Sequence, residues 1–90
     1  MLEFPNRSRS FDDGRRAVRF SGYDGMFEVR FFVEADALSP QSGSPANEDE
    51  FEDACLAAFD AQRPSIQDIA RDMYSSDRRV SYTLTSADFR

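Results

Sequence analysis

Most side chains that perform chemistry in proteins are missing from this chain. Its 90 residues contain no histidine, no lysine and no tryptophan, and one cysteine, Cys55. Without imidazole there is no general base poised near neutral pH and no imidazole metal ligand. Without lysine there is no Schiff-base amine and no phosphate-loop cation. A lone cysteine closes no internal disulfide and builds no multi-cysteine zinc site. Carboxylates, eleven arginines, hydroxyls and three tyrosines remain. That inventory predicts no enzyme, no cofactor and no bound metal.

Three groupings of these residues could still act. The acids Glu48, Asp49, Glu50, Glu52 and Asp53 could hold a divalent cation, but cation sites need oxygens converging on one point. Near-consecutive helical residues fan out around the axis instead, so these acids are expected to be a solvated first turn suited to the helix dipole. Cys55 falls on an apolar stripe beside that acidic turn, which disfavours the thiolate; it is expected to be a small buried apolar residue. Arg15, Arg16 and Arg19, with Arg7 and Arg9 upstream, form the basic concentration of the chain. With Phe11 and Tyr23 nearby they resemble an Arg/aromatic surface for RNA or single strands. The competing expectation, which we favour, is a solvated segment paired with the acidic helix start, within the molecule or across a dimer. Asp12, Asp13 and Asp24 are expected to serve turns.

The charge distribution points the same way. The net charge is −6. Residues 1–33 and 62–90 each carry +1, and residues 34–61 carry eight acids and no base. A net-acidic small domain is a poor generic binder of phosphate backbones. Arginine without lysine is the habit of GC-rich coding sequence; selection for forked, bidentate recognition is the alternative. No apolar run approaches the about 20 residues that span a bilayer. The start, Met1-Leu2-Glu3-Phe4-Pro5, has an early acid and no apolar core of a signal peptide. A cytoplasmic protein without a membrane partner is expected.

The elements that must position these residues can be read from periodicity. Residues 1–16 are expected to be irregular, with Leu2-Glu3-Phe4 as a short edge strand ended by Pro5. Residues 17–34 alternate as a β-hairpin. Its turn is expected at Asp24-Gly25, and Ser21 to Gly25 interrupt the alternation. Phe27, Val29, Phe31 and Val33 share one face; Met26, Glu28, Arg30, Phe32 and Glu34 share the other. Glu34 to Leu38 could begin a helical turn. Residues 39–47 are a surface loop. A helix over 47–75 follows, capped by Ser44 with Pro45 or by Asn47 with Glu50. Its stripe runs Phe51, Cys55, Phe59, Gln62, Ile66, Ile69, Ala70 and Met73. Pro64 lies inside it, yet the stripe keeps phase, which favours one kinked helix over two. Residues 79–85 form a further strand, and Thr85 with Asp88 resembles a capping box that sets Phe89 on the core.

The expected architecture is one small domain of the α+β class, an antiparallel sheet of three to four strands with one long helix on one face. The expected core is Val18, Phe20, Phe27, Val29, Phe31, Phe59, Ile66, Ile69, Ala70, Met73, Val80 and Leu84. Phe4-Pro5, Ala17-Val18-Arg19-Phe20, Phe27 to Leu38, Ala58-Phe59-Asp60, Ile66 to Tyr74, Tyr82-Thr83-Leu84-Thr85 and Asp88-Phe89 occur in an order similar to a small bacterial family, domain of unknown function 1488. The resemblance spans nearly the whole chain. It implies a compact α+β domain, typically of proteobacteria, with no assigned activity or catalytic residue to carry over.

The functional expectation is a non-enzymatic protein-interaction or regulatory module that self-associates, as a homodimer, through an edge strand or the Phe32 face. Leu2 and Phe4 are the alternative cover for that face. The candidate surface is Arg15, Arg16, Arg19, Tyr23, Met26, Arg30 and Phe32. The alternative is a nucleic-acid-associated accessory using the Arg-rich start.

Overall fold

The computed structural model describes residues 2–5, 8–38 and 48–89. The loop at 39–47, its candidate caps Ser44, Pro45 and Asn47, and Arg7 lie outside them. Strands β1 (Leu2–Glu3), β2 (Ser10–Asp12), β3 (Ala17–Asp24) and β4 (Phe27–Glu34) precede a one-turn helix, α1 (Ala35–Leu38). The long helix α2 (Glu48–Ser76), strand β5 (Ser81–Leu84) and a 3-10 turn at Ser86–Phe89 complete the order. The class is α+β, as expected, but the five-stranded sheet is mixed: β1, β2, β3 and β4 pair antiparallel, and β5 runs parallel to β4.

The parallel pairing follows from the path of α2. Its first turns lie near the start of β3, where Phe51 meets Phe11 edge-on at 5.9 Å. Its last turns lie near the end of β3, where Tyr74 donates to Asp24. Ala17 pairs with Glu34 and Asp24 with Phe27, so α2 returns the chain from the end of β4 to its beginning. A strand launched there must run parallel to β4, which is the βαβ crossover geometry.

The hairpin is longer than the alternation suggests. Gly22 does not break β3; the strand continues to Asp24. A Cβ at Gly22 would lie 2.8 Å from the Phe4 ring and 3.0 Å from Leu2, so this position needs glycine for a close approach and not for a turn. The turn is Gly25-Met26, with Gly25 at φ 63° in the first central position. A two-residue loop with glycine there matches the right-handed strand twist.

The N-terminal segment is a strand broken in two. Leu2 and Glu3 pair with Asp24 and Tyr23, and Ser10 to Asp12 pair with Arg19 to Ala17. Residues 1–16 are therefore not wholly irregular. One apolar residue, Phe11, between two polar ones is too short an alternation to read; β2 forms because β3 offers a free edge. Between the two pieces, Phe4 turns onto the sheet.

The core lies between one sheet face and α2. Leu2, Val18, Phe20, Val29, Phe31, Val33, Leu38, Cys55, Phe59, Ile66, Ala70, Tyr82 and Leu84 are buried, with Ile69 and Met73 packed at the margin. Two expected core members are not in it: Phe27 is 76% and Val80 80% exposed. Both point to the helix side, but at the end of the sheet where α2 stops. Pro64 lies inside an unbroken α2 on an exposed position. Cys55, Phe59, Ile66 and Ala70 are buried on both sides of it, and that packing holds the helix together although proline lacks the N–H its ladder requires.

Two substitutions of one residue type separate burial from pattern. Phe59→Ala costs about 3–5 kcal/mol, enough to unfold much of a marginal domain. Phe27→Ala stays within about 0.5 kcal/mol of the parent. Chemical denaturation followed by circular dichroism measures both.

Candidate functional site

The seven candidate residues are split by the strand pleat. Arg19, Tyr23, Arg30 and Phe32 lie on the sheet face opposite α2, where Arg19 is directly across from Phe32 and Tyr23 from Glu28. Arg15 joins them from the β2–β3 turn, its guanidinium 4.2 Å from the centre of the Phe32 ring. Arg16 goes elsewhere. It takes φ 50°, and its guanidinium lies 4.4 Å from the Phe51 ring on α2. Met26 is in the hairpin turn and 99% exposed.

Phe32 is not the open apolar surface its place in the alternation suggests. It is 8% exposed, with Arg15 stacked on it as a cation over a ring face. Leu2 and Phe4, the alternative cover, are on the helix side. There Phe4 meets Phe20 and Phe31 at 5.9 and 6.0 Å, and Arg71 donates to the Leu2 carbonyl. The face around Phe32 is charge-mixed: Glu28 accepts from the Ser21 hydroxyl at 3.0 Å and lies 3.9 Å from Arg30.

Nor do the described arginines of the first nineteen residues converge on one surface. Arg9 reaches across to α2 and grips Asp60 through Nε and Nη2 at 3.1 and 2.9 Å. Arg63 holds the same carboxylate at 2.9 Å. This double grip keeps the Asp60 carboxyl below its ordinary value, Arg9 contributing most. Arg15 and Arg19 share the face opposite α2, whereas Arg9 and Arg16 reach to α2, so the four form no single basic stripe among the described residues.

Other perturbed groups are equally structural in their partners. The Tyr74 hydroxyl donates to Asp24 at 2.6 Å, which lowers the aspartate and raises the tyrosine. This pair ties the hairpin end to the C-terminal end of α2, and no local pattern announces it. Cys55 is buried, and burial pushes its thiol up. Asp12 accepts from the Arg15 backbone N–H, an Asx-type turn. Among the described residues no three cysteine, aspartate or glutamate side chains gather as metal ligands. No described helix is long and apolar enough to cross a membrane.

Three shallow grooves indent the surface. One, of about 230 Å³, fills the gap between β1 and β2 and is lined by Arg9, Arg19, Ser21, Tyr23 and Glu28 among others. A second, of about 240 Å³, lies between Arg16, Asp36 and Phe51. The third, about 220 Å³, is framed by Phe27, Val29, Tyr74, Arg78, Arg79 and Val80. This last place was not singled out by the sequence, because Phe27 and Val80 carry the signature of core residues. No sequence signal marked it, because how far α2 reaches along the strands is set only when the faces pack.

Residues 2–85 match the family described as Protein of unknown function (DUF1488), and the chain belongs to it. No curated protein and no solved structure matches the chain.

The Arg9–Asp60–Arg63 cluster sets an acid limb of stability. The folded carboxyl lies below its ordinary 3.8, so its contribution is complete above about pH 5. It is lost as the pH falls below 3.8 toward the folded value. Asp60→Asn flattens this limb, and the neutral-pH loss is at most about 1 kcal/mol because the pair is solvent-screened. Thermal melts from pH 2 to 7 read the difference.

Proposed function

We propose that this member of the DUF1488 family is a small non-enzymatic protein-interaction module of the bacterial cytoplasm, one that self-associates and thereby regulates. The observation that carries this reading is the uncovered end of the sheet. Met26, Phe27 and Val80 are 99%, 76% and 80% exposed, and Phe27 and Val80 border one groove with Arg78 and Arg79 on its rim. Adjacent exposed apolar side chains rimmed by cations are what a protein-binding surface presents.

The chemistry of the chain supports a binding role over catalysis. Each strongly engaged titratable group has a partner that explains it structurally: Asp60 with two arginines, Asp24 with Tyr74. Catalytic groups are usually perturbed within a cleft that excludes water, and the grooves here are open. The nucleic-acid reading needs clustered cations tracking a backbone. The division of these cations, with Arg9 and Arg16 drawn to α2 and Arg15 and Arg19 on the opposite face, weighs against it.

Sedimentation velocity over a wide concentration range tests the reading. The parent chain is expected to self-associate, and Val80→Asp to weaken that association while retaining the far-UV spectrum of the parent. A parent that remains monomeric up to about 1 mM, where even an interaction worth about 4 kcal/mol is visible, overturns it.

A further inference from the structure

The two edges of the sheet differ. On one side β3 is flanked by β1 and β2, short pieces offset in register with Pro5 between them and with Glu3 and Asp12 at their ends. Interruption, proline and charge are the devices that stop a sheet from growing. On the other side β5 reads Ser81-Tyr82-Thr83-Leu84, with no charge and no proline, and among the described residues no strand lies beyond it.

The hydrogen bonds of β5 can be assigned from its register. Arg30 pairs with Ser81 and donates its N–H to the Val80 carbonyl at 3.0 Å. In a parallel ladder the N–H and C=O of alternate residues then face the neighbour. Tyr82 and the Leu84 N–H face β4. The N–H and C=O of Ser81 and Thr83 face outward. The next residue in that series, Thr85, is already closed: its N–H donates to Asp88 Oδ2 at 2.8 Å, and its carbonyl accepts from the Asp88 N–H at 3.0 Å. The open edge therefore presents two donors and two acceptors.

We propose that β5 pairs antiparallel with β5 of a second copy of the chain, about a two-fold axis at Tyr82. This deepens the self-association proposed above and rests on it. Placing Tyr82 opposite its own mate sets Ser81 opposite the partner's Thr83. Such a pair exchanges both N–H···O bonds, and the two-fold repeats the exchange. All four outward groups of each copy are satisfied, with none left over. Shifting the centre to Thr83 would set Ser81 opposite the partner's Thr85, whose N–H and carbonyl are held by Asp88; only the central pair could then bond. Shifting by a single residue would turn one copy's helix face to the other's open face. Asp88 thus selects the register by closing the edge after Thr83.

The flanks agree with this placement. The axis sets Val80 opposite the partner's Leu84, covering a side chain that is 80% exposed in the single chain. Arg79 comes opposite the partner's Thr85 and Arg78 opposite the partner's Ser86, beside the carboxylate of the partner's Asp88. Arg79 is paired within its own chain to Asp77 at 2.6 Å, so it is Arg78 that the two-fold brings toward the partner's Asp88, once at each end.

Amide exchange by NMR tests the pairing together with sedimentation. In dilute protein the Ser81 and Thr83 amides exchange fast while Thr85 is protected. At concentrations where the dimer forms, Ser81 and Thr83 slow about tenfold or more. Thr83→Pro removes an outward N–H that the single chain does not use, so the fold is kept. Two hydrogen bonds per dimer are lost, and the dimer is expected to weaken about 30-fold or more. A dimer that forms with fast Ser81 and Thr83 amides, is unaffected by Thr83→Pro and is broken by Val80→Asp overturns the edge pairing but leaves self-association standing. A parent that never dimerises overturns both.

Discussion

A row of stacked rings across three strands holds this small sheet together. Phe20 on β3 is paired with Phe31 on β4, and Phe31 with Tyr82 on β5. The rings lie 5.1 and 5.2 Å apart and nearly parallel. Phe59 of α2 closes on Phe20 at 5.1 Å, and Phe4 lies against both Phe20 and Phe31. Each ring is worth more than its area because cross-strand register presents its face to the next. The register of all three strands, the seating of the helix and the docking of the first residues are therefore one condition. A slip of any strand would take its ring out of the row.

That row also explains why polar anchors gather at its margins. Tyr82 turns its hydroxyl to the Arg79 N–H and the Asp77 carbonyl, fixing the connection from α2 into β5. Tyr74 does the same for the hairpin end through Asp24. Gln62 donates to the Leu38 carbonyl, satisfying the end of α1. Arg71 lies over Phe4 and holds the Leu2 carbonyl, so the first strand is secured by a cation above its aromatic residue. Arginine serves here as a flat cover for rings, as it does again with Arg15 on Phe32 and Arg16 on Phe51. The arginine-only composition thus has structural uses that need no nucleic-acid or phosphate ligand.

Where the sequence was legible, a repeat spacing was long enough to define a face. Cys55, Phe59, Ile66 and Ala70 kept helical phase through Pro64 and are all buried. Val18, Phe20, Val29, Phe31 and Val33 alternated and share the covered side. Thr85 and Asp88 stood at capping distance, and they bond. The misreadings arose where an apolar residue continued a correct pattern past the end of its cover. Phe27 and Val80 have the right parity and no helix above them. Gly22 looked like a break because close approach and turn formation both call for glycine. Phe32 looked like an apolar surface because its cover comes from a turn fifteen or more residues away. The candidate surface dispersed for a similar reason: Arg15 and Arg16 are neighbours in sequence, but a left-handed residue between strands sends them to opposite sides.

The sequence by itself determined the hairpin, the long helix and the last strand, the face of each that is apolar, and the poverty of catalytic side chains, because those depend on residue type and on spacings of a few residues. Only the tertiary structure decided that β5 runs parallel to β4, that Phe32 is buried with Arg15 stacked on its ring, and that the uncovered apolar positions collect at one end of the sheet beside a free edge. The first and last of these are consequences of where a 29-residue helix begins and ends relative to the strands, and the second of the turn between β2 and β3. No periodicity within the helix or the strands encodes that relation; it arises when their apolar faces are packed together.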